Sequence, residues 1–300
     1  MGIPAIPAYP MPSLSELPKN KVLWKLDPKR AVLLIHDMQN YFLDAFTPNA
    51  SPLVELVSHI QQIKRECKKL GIPVVYSAQP GGQTPEERGL LQDFWGKGIA
   101  DDSYQKGIID DLAPDDDDIV LTKWRYSAFK KTPLSEILKE QGRDQLIICG
   151  VYAHIGCLLT ASDAFMQDIQ VFFIADAVAD FSREHHQMAI QYAASRCAFT
   201  MSTQQLLDVL KRTQNPLPLS LEDVRRQVAE LLQAEAADLS DQENLIDRGL
   251  DSIRIMSLVE KWRRAGAKVT FADLAARPTL SDWWNLLYFP REKVLSNQDA

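Results

Sequence analysis

The sequence lacks the features that mark membrane, secreted and nucleic-acid-binding proteins. No apolar stretch approaches the roughly 18 residues of a membrane-spanning helix, and the first residues lack the basic segment and unbroken apolar run of a secretory signal. The 4 cysteines show neither metal-binding nor redox spacing, and the formal charge of -7 argues against nucleic acid as a partner. These absences favour a cytoplasmic location, reduced thiols and no contact with membranes.

The first two thirds of the sequence alternate apolar runs with amphipathic segments. The apolar runs predict strands at 31–35, 73–78, 118–122, 145–150, 171–175 and 200–202. Helical periodicity lies between them at 53–70, 133–138 (with Thr132 as N-cap), 160–166 and 184–198. Repeated strand–helix units predict an α/β fold of Rossmann-like type, in which a parallel sheet lies between two helical layers.

The pattern changes after residue 212. Residues 213–219 hold two prolines among polar residues and predict a linker, which separates a domain at 1–212 from a second at 220–290. In the second domain, Ser220, Ser252, Thr270 and Thr279 precede or begin amphipathic segments with apolar helical faces. The sequence therefore predicts a small four-helix domain after the α/β domain.

Polar residues follow the predicted strands at the edge where parallel sheets bind ligands. They are Asp37, Gln79, Lys123 and Tyr152. Burial at the mouth of a strand would raise the pKa of Asp37 and suit it to general acid catalysis, whereas the charge of Lys123 would lower that pKa. The sequence leaves open which effect dominates, and it also leaves open a helix-capping role for Asp37 and a surface position for Lys123.

A second reactive group stands far from these residues. The turn Gly-Leu-Asp-Ser ends at Ser252 and is followed at once by an amphipathic segment, which places one serine hydroxyl at a helix start on the surface. Such a serine suits a covalently attached group, because the N-terminus of a helix favours phosphate. An ordinary helix N-cap is the simpler alternative, since serine is a preferred cap.

Four motifs in this order and spacing resemble the isochorismatases of the isochorismatase-like (cysteine hydrolase) superfamily. They are His-Asp-Met-Gln at 36–39, Ala-Gln-Pro at 78–80, Lys-Trp-Arg-Tyr-Ser-Ala-Phe at 123–129 and Gly-Val-Tyr-Ala-His-Ile-Gly-Cys at 150–157. The resemblance covers residues 1 to about 210. The region around Ser252 resembles the aryl carrier domains fused to such enzymes, so the whole chain is similar to the bifunctional isochorismatase–aryl carrier proteins of catechol siderophore pathways.

This resemblance implies hydrolysis of isochorismate to 2,3-dihydro-2,3-dihydroxybenzoate and pyruvate. It makes Asp37 the acid that protonates the vinyl ether and Lys123 its partner. It also implies substrate contacts at Gln79, Arg88, Trp95 and Tyr152, and a non-proline cis peptide within 150–152. It implies a homo-oligomer assembled through the hydrolase domain.

The sequence departs from the cysteine hydrolases at their nucleophile, where Gly156 stands and leaves room for the substrate. Cys157 comes one residue late, and one helical step turns a side chain by about 100°, so we expect no covalent intermediate. No catalytic metal is expected, because residues 77–80 lack the histidines of the nicotinamidases. His36 and His154 are expected to be hydrogen-bonded structural residues, and His59, His185 and His186 to be surface residues.

For the second domain the resemblance implies 4'-phosphopantetheine on Ser252, attached by a phosphopantetheinyl transferase. Mg²⁺ serves only this attachment, and Asp251 helps to organise it. An aryl-AMP ligase would load the arm with 2,3-dihydroxybenzoate, and the condensation domain of a nonribosomal peptide synthetase would receive it. Met256, Phe271 and Ala275 could form an apolar docking face for these partners, although Phe271 could equally belong to the core.

Two other functions remain open from the sequence. One is an amidase of the cysteine hydrolase type, in which Cys157 would act as nucleophile. The other is a carrier or scaffold protein whose hydrolase domain is inactive.

Overall fold

The computed structural model describes residues 2–214 and 217–288, and the chain separates into two compact units after Leu210. Within these described ranges, no helix combines the length and the apolar character needed to cross a membrane. All 4 cysteines are free and buried.

The first unit is built on the predicted parallel sheet. Its strands are β1 Ala31–His36, β2 Val74–Ala78, β3 Ile119–Thr122, β4 Gln145–Val151, β5 Gln170–Ala179 and β6 Ala198–Met201. All neighbours pair in parallel, in the order β3-β2-β1-β4-β5-β6. Chain order reverses between β1 and β4, and the crevice beyond the carboxyl ends of such strands is the expected ligand site.

Helices cover both faces of this sheet, as predicted. In β1, Leu33 and Ile35 face one apolar core, whereas Val32 and Leu34 face another. The first core includes helix α2 (Leu53–Lys69), and the second includes α6 (Leu134–Glu140), α7 (Leu158–Phe165) and α8 (Arg183–Arg196). The helices of this unit are α1 Asn40–Leu43, α2 Leu53–Lys69, α3 Pro85–Arg88, α4 Leu91–Trp95, α5 Ser103–Lys106, α6 Leu134–Glu140, α7 Leu158–Phe165, α8 Arg183–Arg196 and α9 Thr203–Gln214.

Several predicted boundaries differ from the structure. The N-cap of α6 is Pro133 rather than Thr132. The strand predicted at 200–202 begins at Ala198 and ends at Met201. Strand β5 continues to Ala179, beyond the predicted end at 175. The prediction was too short because the polar Asp176 interrupts the apolar run on which it relied. The Asp176 carboxylate accepts hydrogen bonds from the backbone N–H (2.6 Å) and hydroxyl (2.7 Å) of Thr203.

The predicted linker at 213–219 also changes. Helix α9, which the sequence did not predict, runs through Gln214. At the other end of the segment, Leu217 packs on the core of the second unit, and the hydroxyl of Tyr288 donates to the carbonyl of Pro218. Asn215 and Pro216 lie outside the described residues, as do residues 289–290 of the predicted second domain.

The second unit is helical, and its four main helices are α10 Leu221–Leu232, α11 Ser252–Arg264, α12 Phe271–Ala276 and α13 Leu280–Tyr288. Its core centres on Trp262 and Trp283, whose rings meet edge to face at 6.0 Å between centroids. The indole N–H groups are satisfied by the Gln227 side chain at 3.0 Å and the Leu274 carbonyl at 2.9 Å. Buried apolar side chains from all four helices complete this core, so the unit has a core of its own.

Candidate active site and carrier serine

Asp37 begins the loop after β1 and turns its carboxylate into a buried cluster. Its backbone has a φ of 51°, and its side chain is 6% exposed. Oδ1 accepts a hydrogen bond from the Ser77 hydroxyl at 2.6 Å. Oδ2 lies 2.9 Å from Nζ of Lys123 and 3.3 Å from Nε2 of Gln79. The three predicted residues that follow β1, β2 and β3 therefore meet at one point.

Burial and the charge of Lys123 have opposite effects on the pKa of Asp37, and in the structure the net effect is a lower pKa. Burial favours the neutral acid, but the charge of Lys123, the neighbouring His36 and the hydrogen bond from Ser77 together hold the pKa of Asp37 below its ordinary value of 3.8. The Asp37 carboxylate is therefore ionised near neutral pH when the site contains no substrate.

Lys123 is 1% exposed, which rules out the surface position left open by the sequence. Its ammonium donates to the carbonyl of Arg125 at 2.7 Å and pairs with Asp37. Arg125 itself donates to the backbone carbonyls of Glu87 and Trp124 at 2.9 and 2.6 Å. A buried ion pair requires such added hydrogen bonds, because both charges have lost their water.

His36 lies behind this pair and is fully buried. Its Nδ1 is 3.1 Å from the Val151 carbonyl, and its Nε2 is 3.2 Å from Oγ1 of Thr160. Because a carbonyl only accepts, Nδ1 carries the proton and Nε2 accepts from the Thr160 hydroxyl. Burial lowers the pKa of His36 to about 4. His36 is thus a neutral, hydrogen-bonded residue, as predicted.

Arg88 supplies a second positive charge to the same cavity. It is 4% exposed, and its Nε donates to the Gly96 carbonyl at 2.9 Å. Its NH1 lies 3.1 Å from Oε1 of Gln83 and 3.4 Å from Oε1 of Gln79. Gly98 packs against the guanidinium so closely that an added Cβ would lie 2.4 Å from its Cζ.

All the partners of Arg88 are neutral oxygens. Among the residues that the structure describes, none of them is a carboxylate. Burial lowers the pKa of the Arg88 guanidinium, as expected for a cation without a counter-charge. This site suits a ligand carboxylate, which arginine binds in bidentate geometry.

Aromatic rings form the remaining wall of the cavity, which has an empty volume of about 530 Å³ including its open mouth. The indole of Trp95 donates to the Tyr126 hydroxyl at 2.7 Å, and the ring centroids of Tyr152 and Phe181 are 4.3 Å apart. The cavity is lined by all seven predicted residues: Asp37, Gln79, Arg88, Trp95, Lys123, Tyr152 and Gly156.

Sequence reasoning missed four lining aromatics: Tyr41, Phe42, Tyr126 and Phe181. Tyr126 stands inside the motif that carries Lys123 and could have been found there. Phe181 follows the end of β5 by two residues, so the strand-end rule fails only because β5 was predicted too short. Tyr152 lines the cavity as expected, and its hydroxyl donates to the Phe42 carbonyl at 2.7 Å.

The turn after β4 contains the expected non-proline cis peptide, between Val151 and Tyr152. Gly156 follows and lines the cavity, but the space beside its Cα is already filled. A Cβ added there would lie 2.3 Å from Cε1 of His36. The expectation that a small residue leaves room for substrate was therefore incomplete, because the imidazole takes the position of the missing side chain.

Cys157 points away from the cavity into the core behind α7, where it is fully buried among apolar side chains. Burial raises the pKa of its thiol well above the ordinary value, so the thiolate is strongly disfavoured. This geometry agrees with the prediction that Cys157 is not a nucleophile.

The remaining histidines have mixed positions. His154 pairs through Nδ1 with Oδ1 of Asp180 at 2.7 Å, as expected for a structural residue, and the exposed His185 stacks on its ring. These three side chains lie close enough to hold a metal ion, although both Asp180 oxygens already accept hydrogen bonds within the chain. His186 was predicted at the surface and is instead fully buried, within reach of the Tyr9 hydroxyl and the Ala175 carbonyl.

In the second unit, Ser252 is the first residue of α11 and is exposed. It is not the helix cap. The Asp251 side chain accepts a hydrogen bond from the backbone N–H of Arg254 at 2.8 Å and so takes that role. Because Asp251 satisfies the helix end, the Ser252 hydroxyl has no capping duty and faces solvent.

Of the three expected docking residues, Met256 and Phe271 are open to solvent as well, whereas Ala275 is half-buried. Met256 is 60% exposed and Phe271 is 38% exposed, so Phe271 is not simply core. Ile253, which the sequence did not single out, is 80% exposed.

Comparison with known proteins identifies two domains in the chain. Residues 31–205 match the isochorismatase domain, and residues 222–287 match the phosphopantetheine attachment site. The isochorismatase of Bacillus subtilis (strain 168) is 58% identical over 310 residues, covering 100% of this chain and 99% of the relative. Enterobactin synthase component B of Escherichia coli (strain K12) is 46% identical over 287 residues, covering 96% and 98%.

Solved structures agree on the fold of the first unit. The cysteine hydrolase from Pseudomonas syringae pv. phaseolicola 1448A has a TM-score of 0.57 at 21% identity, over 64% of this chain and 97% of that chain. Similarity at this level of identity concerns the fold alone. The chain therefore belongs to the isochorismatase family, as a hydrolase with a phosphopantetheine attachment domain in its carboxyl-terminal part.

Proposed function

We propose that Asp37 and Lys123 hydrolyse isochorismate to 2,3-dihydro-2,3-dihydroxybenzoate and pyruvate. Ser252 would carry 2,3-dihydroxybenzoate as a phosphopantetheine thioester for siderophore synthesis. The hydrolytic assignment rests on one observation: a buried carboxylate–ammonium pair shares an aromatic cavity with Arg88, a buried guanidinium that has only neutral partners. A dianionic substrate with one vinyl ether, whose terminal carbon can accept a proton, fits that charge arrangement.

Substrate binding converts Asp37 from a carboxylate to the protonated acid that the reaction needs. A carboxylate of isochorismate binds Arg88, and its negative charge in the cavity raises the pKa of Asp37, which then takes up a proton. Asp37 donates this proton to the terminal vinyl carbon, and the ether becomes an oxocarbenium ion. Water adds to that ion and returns a proton to Asp37. The hemiketal then collapses to pyruvate and the dihydrodiol.

Other cavity residues position the substrate. Gln79 contacts both Asp37 and Arg88, which ties the acid to the carboxylate site. Trp95 and the ring of Tyr152 cover the apolar part of the substrate. Gly156 contributes backbone only, so water is the nucleophile. An amidase would need the thiolate of Cys157, which the buried position of that side chain disfavours.

Ser252 is the attachment point for the arm. Its exposure at the start of α11 suits a hydroxyl that another enzyme must reach. We assign Asp251 two roles, as cap of α11 and as an acidic group for the Mg²⁺ complex of the phosphopantetheinyl transferase. The exposed Ile253, Met256 and Phe271 provide apolar contacts for an aryl-AMP ligase and for a condensation domain of a nonribosomal peptide synthetase.

We further propose a cytoplasmic protein with separate hydrolase (1–212) and carrier (220–290) domains. It would assemble as a homo-oligomer through the hydrolase domain. Support for assembly comes from a shallow groove beside the active-site cavity that displays four exposed apolar side chains, Leu90, Phe94, Leu159 and Met166.

Two variants test the division of labour. Asp37→Ala should reduce pyruvate release from isochorismate by about 100-fold or more, as loss of a general acid does, and leave the mass increase produced by a phosphopantetheinyl transferase unchanged. Ser252→Ala should leave pyruvate release unchanged and abolish the mass increase. The matched variant Cys157→Ala should keep most of the activity, and a loss as large as that of Asp37→Ala would favour the amidase. No pyruvate release from the parent protein would favour an inactive scaffold.

A further inference from the structure

The imidazole of His36 occupies the position that a side chain at residue 156 would need. A Cβ built on Gly156 lies 2.3 Å from Cε1, 2.9 Å from Nδ1 and 3.1 Å from Nε2 of His36. The backbone of the glycine is not in the left-handed region, so it would tolerate a larger residue. The three heavy atoms nearest to that Cβ all belong to the ring.

The ring of His36 cannot turn away at low cost. Both nitrogens are hydrogen-bonded, to the Val151 carbonyl and to the Thr160 hydroxyl. The Thr160 oxygen is itself fixed by the backbone N–H of Ala128 at 2.9 Å. The ring is fully buried, so a rotation would leave buried polar groups without partners.

The blocked space lies beside the reacting groups. Nδ1 of His36 is 3.6 Å from Oδ1 of Asp37, and the other Asp37 oxygen is 2.9 Å from the Lys123 ammonium. A short nucleophilic side chain at 156 would therefore enter next to a carboxylate that can take its proton. The nearby ammonium would stabilise its anion.

We propose that His36 is a specificity-determining residue that keeps this site from using a protein nucleophile. The imidazole fills the volume beside Asp37 and Lys123, which leaves water as the only nucleophile that reaches the substrate. The proposal rests on the reaction centre being at Asp37, as proposed above. Its test measures thiol chemistry without isochorismate, so the two can fail independently.

The test is alkylation of the double variant His36→Ala/Gly156→Cys by iodoacetamide, in which a thiolate displaces iodide. The native thiols are a slow background, because all four are buried and burial raises the pKa of each. The introduced thiol should react about tenfold faster than any native thiol at neutral pH, with an apparent pKa below the ordinary value of about 8.5. Peptide mapping identifies the modified position.

Two controls distinguish removal of the His36 ring beside residue 156 from a general loss of packing in the hydrolase unit. Gly156→Cys alone should lower Tm and give a slowly reacting thiol. His186→Ala/Gly156→Cys removes another fully buried histidine and should behave like that single variant. The proposal is overturned if Gly156→Cys alone keeps the parental Tm and reacts as fast as the double variant. It is also overturned if the folded double variant reacts no faster than the parent.

A smaller substitution covers the case in which a cysteine variant does not fold. Gly156→Ala should lower Tm clearly in the parent and much less in the His36→Ala background, because the added carbon then meets no ring. Equal losses of Tm in the two backgrounds would show that His36 does not control residue 156.

Discussion

The two reactive groups of this chain lie in opposite environments. The side chain of Asp37 is 6% exposed, and its carboxylate is held by Ser77 and Gln79 at the end of β2 and by Lys123 after β3. The hydroxyl of Ser252 is exposed at the start of α11, and its neighbour Asp251 caps that helix. In the first case the small molecule enters the protein, whereas in the second the protein is itself the substrate of another enzyme.

This difference has an energetic consequence. Charges that are removed from water depend on each other, so the hydrolase site should respond strongly to loss of a single partner. An exposed hydroxyl makes few contacts within the protein. Substitutions at the carrier site should therefore change the free energy of unfolding little and should mainly affect recognition by partner enzymes. Each of the following predictions tests that contrast.

Lys123→Met should produce the largest effect on stability. It leaves the Asp37 carboxylate buried without its cation, and breaking a buried pair in this way costs about 3–5 kcal/mol. Calorimetry of the whole protein should show a lower Tm for the hydrolase transition alone. Adding Asp37→Asn should recover part of the loss, and the exposed-site control Lys268→Met should stay within about 0.5 kcal/mol. A small effect of Lys123→Met would remove the energetic contrast.

Acidification should also separate the two units, because all 5 histidines of the chain lie between residues 36 and 186. The folded state holds the pKa of His36 at about 4, against an ordinary 6.5. The unfolded chain therefore gains a proton as the pH falls below 6.5, while the folded chain does not until about pH 4. Stability is complete above 6.5 and is lost as the pH falls through this window, by about 2 kcal/mol at pH 5.

The buried His186 adds to this loss, because burial lowers its pKa too. The lowered pKa of Asp37 acts separately, since that contribution is lost only below its ordinary value of 3.8. Between pH 7 and pH 5 the calorimetric transition of the hydrolase unit should shift downward more than that of the carrier unit. Equal shifts of both transitions would contradict the conclusion that buried, neutral histidines make the hydrolase unit sensitive to acid.

Gln83→Glu would place a counter-charge beside Arg88, a residue that lines the hydrolase cavity. Its side-chain oxygen already accepts from Arg88 at 3.1 Å, so a carboxylate there would pair with the guanidinium and compete with the substrate. KM for isochorismate should rise about tenfold, equivalent to about 1.4 kcal/mol, with a smaller change in kcat. Gln92→Glu adds the same charge at a nearby exposed position and should change KM less than twofold, within about 0.4 kcal/mol. Similar KM values for the two variants would mean that Arg88 does not bind a substrate carboxylate.

The parallel sheet and its strand-end residues were predictable because buried strands have long apolar runs. The carboxyl ends of such strands also meet at one edge. The predicted end of β5 was wrong because a polar residue lies within the strand. Asp176 interrupts the apolar pattern of β5, although its carboxylate accepts a hydrogen bond from the backbone N–H of Thr203. The strand was therefore predicted too short, and Phe181 beyond its true end was missed.

Other features depend on distances that no sequence pattern encodes. The net pKa of Asp37 follows from the balance of burial against a 2.9 Å ion pair. The conflict between Gly156 and His36 joins positions 120 residues apart in the chain and appears only when the ring is placed. The choice between Asp251 and Ser252 as cap of α11 was also ambiguous, because both residue types are good caps.

That ambiguity gives the smallest predicted effect. Asp251→Ala removes the hydrogen bond to the N–H of Arg254 and should lower the stability of the carrier unit by about 1 kcal/mol. Asp251→Asn keeps a capping oxygen and should stay within about 0.5 kcal/mol of the parent in calorimetry. If the charge of Asp251 serves the transferase, both variants should be modified at Ser252 more slowly. Full modification rates in Asp251→Asn would reduce Asp251 to a helix cap, and the carrier site would then depend on the exposed hydroxyl alone.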